Sequence, residues 1–217
     1  MKALKSAKKN KGVLKLKSTL HEVRITLLEP LLGTIPKNPD VYATYIAGKK
    51  DSKGEALIPS DAMAAEEIST VPDAEKAGWT GFHTDEQGCF LYNYALLGFL
   101  KEAGNTLKEQ LGIKALKSKI DQFVFVEPRR IRLKPAPDGV LERSLRAMTM
   151  QGPRVTLVRS DYIDAGTELV ATIRILKNKE VTGDIIHEIL EYGRYRGLGQ
   201  FRNGSYGQFS FDMIDVD

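Results

Sequence analysis

The chain has 217 residues, of which 42% are hydrophobic and 28% are charged. This balance is that of an ordinary globular protein, and the length fits one domain with room for an insertion. The one cysteine, Cys89, excludes an internal disulfide and a cysteine-rich zinc site, and it agrees with a cytoplasmic location. No apolar run approaches the roughly 18 residues that span a bilayer, so no membrane partner is predicted.

The net charge of +4 is unevenly distributed along the chain. Residues 1–17 hold seven lysines and no acid, residues 18–112 are net acidic, and residues 113–217 are net basic. A basic arm commonly supplies sequence-independent affinity for nucleic acid, and a solvated tail is the alternative interpretation. We therefore predict a basic flexible arm over residues 1–18 and a single domain over residues 19–217.

The N-terminal half begins with a strand and then becomes helical. Apolar residues alternate with polar ones over Glu22–Leu28, which predicts a half-buried strand. A short helix is predicted through Val41–Ile46, after Asn38 as a helix cap. Residues 48–88 are poor in core residues and are predicted to be an insertion with one short helix. Helical spacing of leucines then predicts a long helix over Leu91–Leu111.

The C-terminal half changes to strand character. Strands are predicted at Phe123–Val126, Leu141–Met150, Arg154–Arg159, Glu168–Leu176 and Phe209–Met213, with an amphipathic helix at Asp184–Tyr195. This order lacks the regular strand–helix alternation of a doubly wound parallel sheet. It predicts an α+β fold in which helices cover one face of an antiparallel sheet, with a ferredoxin-like (RRM-like) βαββαβ core as the simplest version.

A glycine-rich loop over residues 197–207 joins the last helix to the last strand. It holds four glycines together with Phe201, Arg202, Asn203 and Tyr206. Glycine clusters serve left-handed torsions or close approach to a ligand. An arginine and two aromatic rings favour an anionic ligand with stackable faces, such as RNA or single-stranded DNA. A flexible connection without a ligand is the alternative.

This loop resembles that of the RAMP superfamily of CRISPR-associated proteins. The resemblance is carried by Gly197, Gly199, Gly204, Tyr206 and Gly207, with Phe209 opening the strand. The chain is also similar to phage and prophage proteins of this length. The family resemblance implies a single RAMP-like domain that binds guide RNA in a filament or cleaves repeat RNA. It further implies RNA contacts from Arg202, Asn203 and Tyr206, and partners that are CRISPR-type subunits or further copies of the chain.

A second basic segment lies at residues 129–134. Alternation places Arg130, Arg132 and Lys134 on one strand face, where like charges repel unless an anion lies across them. A nucleic-acid backbone is one such anion, and a sheet edge protected by charge is the alternative. Four more arginines extend this surface if their strands align: Arg143, Arg146, Arg154 and Arg159. The predicted nucleic-acid-binding residues are Arg129, Arg130, Arg132, Lys134, Arg194, Arg196, Gly199, Arg202, Asn203, Gly204 and Tyr206.

Catalytic signals are weak in this sequence. The three histidines are far apart, and His83 is the candidate for acid–base cleavage of RNA without a metal. No metal site or cofactor is predicted, since the sequence has no P-loop and no Gly-x-Ser-x-Gly elbow. The sequence thus favours a non-catalytic protein that binds single-stranded RNA or DNA. A protein-interaction module or inhibitor, and a metal-independent endoribonuclease, are the alternatives.

Overall fold

The computed structural model describes residues 16–48, 61–71, 78–149 and 152–216. In chain order the strands are β1 (Ser18–Leu27), β2 (Leu31–Leu32), β3 (Ile35–Pro36), β4 (Trp79–Gly81), β5 (His83–Asp85), β6 (Gly88–Tyr92), β7 (Val124–Glu127), β8 (Arg130–Arg132), β9 (Gly139–Thr149), β10 (Gly152–Ile163), β11 (Glu168–Leu176) and β12 (Phe209–Val216). The helices are α1 (Pro39–Gly48), α2 (Asp61–Ser69), α3 (Asn93–Leu107), α4 (Leu116–Phe123) and α5 (Gly183–Glu191). Short 3-10 turns cover Tyr192–Arg194 and Arg202–Gly204.

A four-stranded antiparallel sheet is built around β1. Its strand order is β12-β1-β11-β7, and every neighbouring pair is antiparallel. Along the chain, α3 and α4 lie between β1 and β7, and α5 lies between β11 and β12. The strands of this sheet and their helices therefore follow the order strand, helix, strand, strand, helix, strand. The predicted α+β class is confirmed.

Helices cover one face of this sheet, and the side chains along its strands therefore alternate between buried and exposed. In β1, Val23 and Ile25 are buried while Arg24 between them is exposed. The apolar faces of α3 and α5 supply residues such as Phe99 and Ile189 to the same core. Thr182 caps α5 by accepting a hydrogen bond from the Ile185 amide, which satisfies one free donor at the helix start.

A long β-hairpin formed by β9 and β10 belongs to a second sheet, of order β2-β10-β4-β3 with β9 beside β10. The antiparallel register runs from Gly139 opposite Tyr162 to Thr149 opposite Gly152. β10 also pairs with β4 at Arg159 and Ser160 and with β2 at Tyr162 and Ile163, and these short strands reach no further along it. The part of the hairpin before Arg159 is therefore a two-stranded ribbon, which we call the arginine ribbon (residues 143–149 and 152–158).

The predicted insertion contributes more regular structure than expected. Its described part contains α2 together with β4 and β5, where the sequence predicted one short helix. The strands were missed because each has only three residues, too few to show alternation. β5 joins β6 and β8 in a third sheet. Residues 49–60 and 72–77 of the insertion, and residues 1–15 of the predicted arm, lie outside the described residues.

Within the described ranges, none of the helices combines the length and the apolarity needed to cross a membrane.

Candidate nucleic-acid interface

The glycine-rich loop is folded tightly against its own chain. The Leu198 amide donates to the carbonyl of Gly207, and the Gly207 amide donates to the carbonyl of Pro30, both at 2.9 Å. Gly207 has φ +70°, and a side chain there would overlap the Leu198 carbonyl. A side chain at Gly197 would overlap the backbone of Gly207. These glycines are thus required by internal packing, and no ligand is needed to explain them.

Two residues of this loop are held in the left-handed region although they are not glycines. Phe201 has φ 55° and Ser205 has φ 69°, and the 3-10 turn at Arg202–Gly204 lies between them. One other non-glycine residue of the described chain, Ala115, has a positive φ. Such torsions persist only where surrounding structure fixes them, and they concentrate at functional sites. Here they present the Phe201 ring, which is 41% exposed.

The arginines predicted around the loop have carboxylate partners. Arg196 lies 3.3 Å and Arg202 2.7 Å from the two carboxylate oxygens of Glu102 on α3. Arg196 also donates to the side-chain oxygen of Asn203. Arg194 pairs with Glu191 at 3.0 Å, one helical turn earlier. Since Arg196 and Arg202 share a single carboxylate, their charge is only partly neutralised.

Arg143 on β9 differs from the other arginines. Among the arginines whose side chains are described, it has no carboxylate within 4.0 Å. Its guanidinium carbon lies 3.5 Å from the centre of the Phe201 ring, and Nη2 donates to Ser160 Oγ at 3.2 Å. Nε and Nη1 are buried without a hydrogen-bond partner. Burial lowers the pKa of Arg143, and nearby Tyr206 opposes that effect.

These groups together form what we call the loop site: Arg143, Arg196, Phe201, Arg202 and Tyr206. Arg196, Phe201 and Arg202 line a pocket of about 340 Å³ together with Gly199 and Asn203. Two arginines of the loop site, Arg196 and Arg202, share the carboxylate of Glu102, and Arg143 faces no carboxylate of the described residues. The site therefore combines a surplus of positive charge with aromatic faces, which is the combination that single-stranded nucleic-acid sites use.

The arginines at β8 are neutralised by the protein itself. Arg130 donates to Asp85 at 2.8 Å and to Glu66 at 2.7 Å, and Arg132 donates to Asp85 at 2.6 Å. Arg129 lies 3.3 Å from Glu66. Hydrogen bonding from Arg132 is the main cause that holds the pKa of Asp85 well below its usual range. The anion that faces the arginine row is therefore supplied by α2 and β5.

We call this group the strand cluster: Arg129, Arg130, Arg132, Glu66, Glu67 and Asp85. Lys134 beyond it is also paired, with both carboxylate oxygens of Asp138 at 2.8 Å. The two groups of predicted residues thus lie in separate ion-pair networks. Gly204 and Tyr206 belong to the loop, and Arg194 lies at the end of the helix before it.

The four arginines of the hairpin do not extend the surface predicted at β8, because β9 and β10 belong to the second sheet and β8 belongs to the third. The register places Arg146 opposite Val155 and Arg154 opposite Ala147. Arg159 is neutralised by Glu142 at 2.7 Å. The described residues of the arginine ribbon include three arginines, Arg143, Arg146 and Arg154, and no acid, so the arginine ribbon is a basic element.

His83 is a packed core residue. His83 is 3% exposed, and its ring stacks on Phe90. Nδ1 lies 2.8 Å from Thr70 Oγ1, and Nε2 lies 3.4 Å from the Tyr42 hydroxyl. Burial, aided by the charge of Arg130, lowers the pKa of His83 to about 3. The imidazole is therefore uncharged at neutral pH and contacts protein groups through both nitrogens.

Sequence reasoning missed two groups that shape the loop site. Glu102 was counted only as part of the long helix, and Arg143 was noted without being included in the predicted site. The absence of acids from residues 143–160 is the sequence signal that distinguishes this stretch. In the part of the chain that the structure describes, no group of three or more histidine, cysteine, aspartate or glutamate residues could hold a metal ion.

No family model and no curated protein matches this chain. One similar solved structure is described as the cryo-EM structure of the Type III-B Cmr-beta bound to cognate target RNA. The similarity has 11% sequence identity and a TM-score of 0.49, and it covers 93% of this chain and 61% of that chain. This chain thus spans less than two thirds of the length of the chain it resembles, and a similarity this low assigns no function.

Proposed function

We propose that this protein is a non-catalytic, RAMP-like subunit that binds single-stranded RNA through the loop site. The observation that carries the proposal is Arg143, a guanidinium that stacks on Phe201 without a carboxylate partner. Arg196 and Arg202 beside it share only one carboxylate. A phosphate placed here gains charge-assisted hydrogen bonds, and a base gains an aromatic surface on which to stack.

The arginine ribbon extends the proposed binding surface. Its acid-free sequence leads away from Arg143, so a phosphate backbone that contacts the loop site can continue along a basic element. The strand cluster is left out of the proposed surface, because its three arginines are matched by three carboxylates. The choice of RNA over DNA rests on the resemblance of the glycine loop to the RAMP superfamily.

Equilibrium binding of labelled single-stranded RNA and single-stranded DNA across a salt series tests the proposal. Affinity is expected to fall as salt rises, with a logarithmic slope of about −0.7 for each phosphate contact. Absence of binding by folded protein at low salt would show that the proposal is wrong. Intact RNA at the end of the experiment is expected, and shortened RNA would contradict the non-catalytic assignment.

A matched pair of variants locates the binding surface. Arg143→Gln is expected to weaken RNA binding about tenfold, the loss of one stacked, charge-assisted contact, and to make the salt slope shallower by about 0.7. Arg159→Gln removes an arginine from the same hairpin that Glu142 already neutralises, and it is expected to bind RNA as the wild type does. Equal effects of the two substitutions would exclude a specific role for Arg143.

One observation favours a second candidate function, a protein-interaction module that does not bind nucleic acid. All seven cations of the predicted site have carboxylate partners: Arg129, Arg130, Arg132, Lys134, Arg194, Arg196 and Arg202. If RNA and DNA both fail to bind at low salt, this second function is the one the ion pairing supports.

A further inference from the structure

We propose that the loop site selects guanine among the RNA bases, an inference that rests on the RNA binding proposed above. Contacts with phosphate position a strand without regard to its sequence, whereas contacts with base edges make binding depend on sequence. The pocket of the loop site has the donors and the aromatic ring that a guanine-selective site needs.

The polar side chains that line this pocket present hydrogen-bond donors. They belong to Arg196, Arg202 and Asn203, which line the pocket beside Gly199 and Phe201. An arginine guanidinium carries donors only, whereas asparagine carries an oxygen acceptor and an NH2 donor group. The Asn203 oxygen accepts a hydrogen bond from Arg196 Nη1, and a guanidinium can bond only to the oxygen of that amide. Asn203 therefore offers its NH2 group to a ligand.

The carboxylate beside the pocket is already engaged. Glu102 Oε1 accepts from Arg196 Nε at 3.3 Å, and Oε2 accepts from Arg202 Nη1 at 2.7 Å. These bonds leave Nε and Nη2 of Arg202 without a hydrogen-bond partner among the described residues. Both groups lie on one edge of the planar guanidinium and form a fork of parallel donors. A base that meets this fork must present two neighbouring acceptors.

Guanine has acceptors that match the Arg202 fork. Its O6 and N7 are neighbouring acceptors, and an arginine bound to both is the commonest specific base contact. Adenine places its N6 amino donor beside N7, so one of the two bonds is lost. Uracil places the N3 proton beside O4 and meets the same obstacle. Cytosine offers N3 and O2 as neighbouring acceptors, so a second property must separate it from guanine.

Stacking on Phe201 provides that separation. The Arg143 guanidinium carbon lies 3.5 Å from the ring centre, and Phe201 is still 41% exposed. A cation on an aromatic face is held by the π electrons of the ring, so the open part of the ring stacks best with an electron-rich partner. Guanine is the most easily oxidised of the four bases, and as a purine it covers more of the ring than cytosine does. The pocket, of about 340 Å³, is at the small end of ligand pockets and suits one nucleotide.

Binding of short RNAs that differ in one base tests the proposal. A labelled uridine RNA is compared, by fluorescence anisotropy at fixed salt, with RNAs whose central uridine is replaced by guanosine, adenosine or cytidine. The guanosine RNA is expected to bind about tenfold more tightly than the adenosine and uridine RNAs, as one bidentate contact provides. The cytidine RNA is expected to lie between them. Equal binding of the guanosine and adenosine RNAs would overturn guanine selection and leave the proposed RNA binding intact, whereas binding of none of these RNAs would overturn both.

Two modified bases separate recognition of the O6–N7 edge from stacking. Inosine keeps O6 and N7 and lacks only the 2-amino group, so an RNA with central inosine is expected to bind nearly as tightly as the guanosine RNA. 7-Deazaguanosine has a carbon in place of N7 and keeps the size of the base. It is expected to lose most of the preference. Binding of 7-deazaguanosine as tight as that of guanosine would show that the donor fork does not read the base.

A matched pair of variants tests the fork within the protein. Arg202→Lys keeps the positive charge and removes the paired donors, so this variant is expected to bind the guanosine and adenosine RNAs equally. Arg194→Lys makes the same change in an arginine that pairs with Glu191 and does not line the pocket, and it is expected to keep the guanine preference. Thermal melting verifies that both variants fold. A guanine preference that survives Arg202→Lys would overturn the role assigned to the fork.

Discussion

The strand cluster and the loop site contain the same number of arginines, yet they differ in what those arginines face. In the strand cluster, three arginines meet three carboxylates supplied by α2 and β5. In the loop site, Arg196 and Arg202 share Glu102, and Arg143 meets no carboxylate of the described residues. A run of arginines is therefore available to bind an external anion only when tertiary packing leaves it without acids. The first region joins elements of the fold, and the second retains the surplus of positive charge on which the proposed RNA binding depends.

The partners that decide this difference are remote in sequence. Arg130 is 45 residues from Asp85 and 64 residues from Glu66, and Arg202 is 100 residues from Glu102. In the strand cluster, these contacts fasten α2 and β5 of the predicted insertion to β8. Perturbing the strand cluster should therefore reduce stability, and perturbing the loop site should change binding with little effect on stability.

Among these predictions, the greatest loss of stability is expected when Glu67, the buried acid of the strand cluster, is replaced. Its carboxylate accepts hydrogen bonds from the hydroxyls of Tyr42 at 3.0 Å and Tyr94 at 3.1 Å, and its side chain is 3% exposed. Glu67→Ala removes the acceptor for both phenols and is expected to lower the free energy of unfolding by about 3 kcal/mol. Urea denaturation measures this change.

The neighbouring acid provides the control for that measurement. Glu66 is 39% exposed in its side chain and pairs with Arg129 and Arg130 at the surface. Glu66→Ala is expected to cost less than about 1 kcal/mol, as solvent-exposed ion pairs do. If the two substitutions destabilised the protein equally, burial would not explain the role of Glu67.

The next prediction is that stability falls at acid pH. The cause is His83, which lies beside the strand cluster. An unfolded histidine takes up a proton below its ordinary pKa of 6.5, whereas folded His83 does so only near pH 3. Between these values the unfolded state binds more protons, so stability falls as pH falls, by up to about 1.4 kcal/mol per pH unit. Urea denaturation between pH 6.5 and pH 5, above most carboxylate titrations, measures the slope.

His83→Gln removes the titrating group and is expected to flatten this slope. The substituted side chain can still bond to Thr70, which lies 2.8 Å from Nδ1 of the histidine. An unchanged slope in the variant would mean that other groups cause the acid sensitivity, and that His83 is protonated in the folded protein at a higher pH.

Much of the fold could be predicted because its longer elements show clear periodicity. The strand predicted at Glu22–Leu28 is β1, and the strand predicted at Glu168–Leu176 is β11 with the same bounds. The helix predicted to reach Tyr195 ends at Glu191 and continues as a 3-10 turn. Short strands such as β8 could not be delimited, because three residues carry too little pattern.

The site was harder to predict than the fold, for a physical reason. Like-charge alternation at Arg130 and Arg132 correctly indicated that an anion must lie across the strand. It could not indicate that the anion is Asp85, since that contact exists only after β5, β6 and β8 form one sheet. The glycines of the loop likewise indicated close approach, and the approaching group is the protein's own backbone.

A smaller change in the free energy of unfolding is expected at Arg143. Substitution there is expected to leave stability unchanged or raise it, whereas substitutions in the strand cluster lower it. Its Nε and Nη1 are buried without partners, which is unfavourable for the folded state. Arg143→Met keeps much of the side-chain volume beside Phe201 and removes the charge. It is expected to leave the free energy of unfolding unchanged or to raise it by up to about 1 kcal/mol, while RNA binding weakens. Clear destabilisation in thermal melting would assign Arg143 to the structural group instead.

The smallest expected effect tests whether Glu102 restrains the loop site. It is the carboxylate that Arg196 and Arg202 share, and its side chain is 39% exposed. Glu102→Gln removes the negative charge but retains a hydrogen-bond acceptor, so stability is expected to change by less than about 1 kcal/mol. With both arginines released, RNA is expected to bind a few-fold more tightly and with a steeper dependence on salt. Glu191→Gln removes the partner of Arg194 alone and should change binding less. Weaker RNA binding by the Glu102 variant would mean that the carboxylate positions the two arginines rather than competing with phosphate for them.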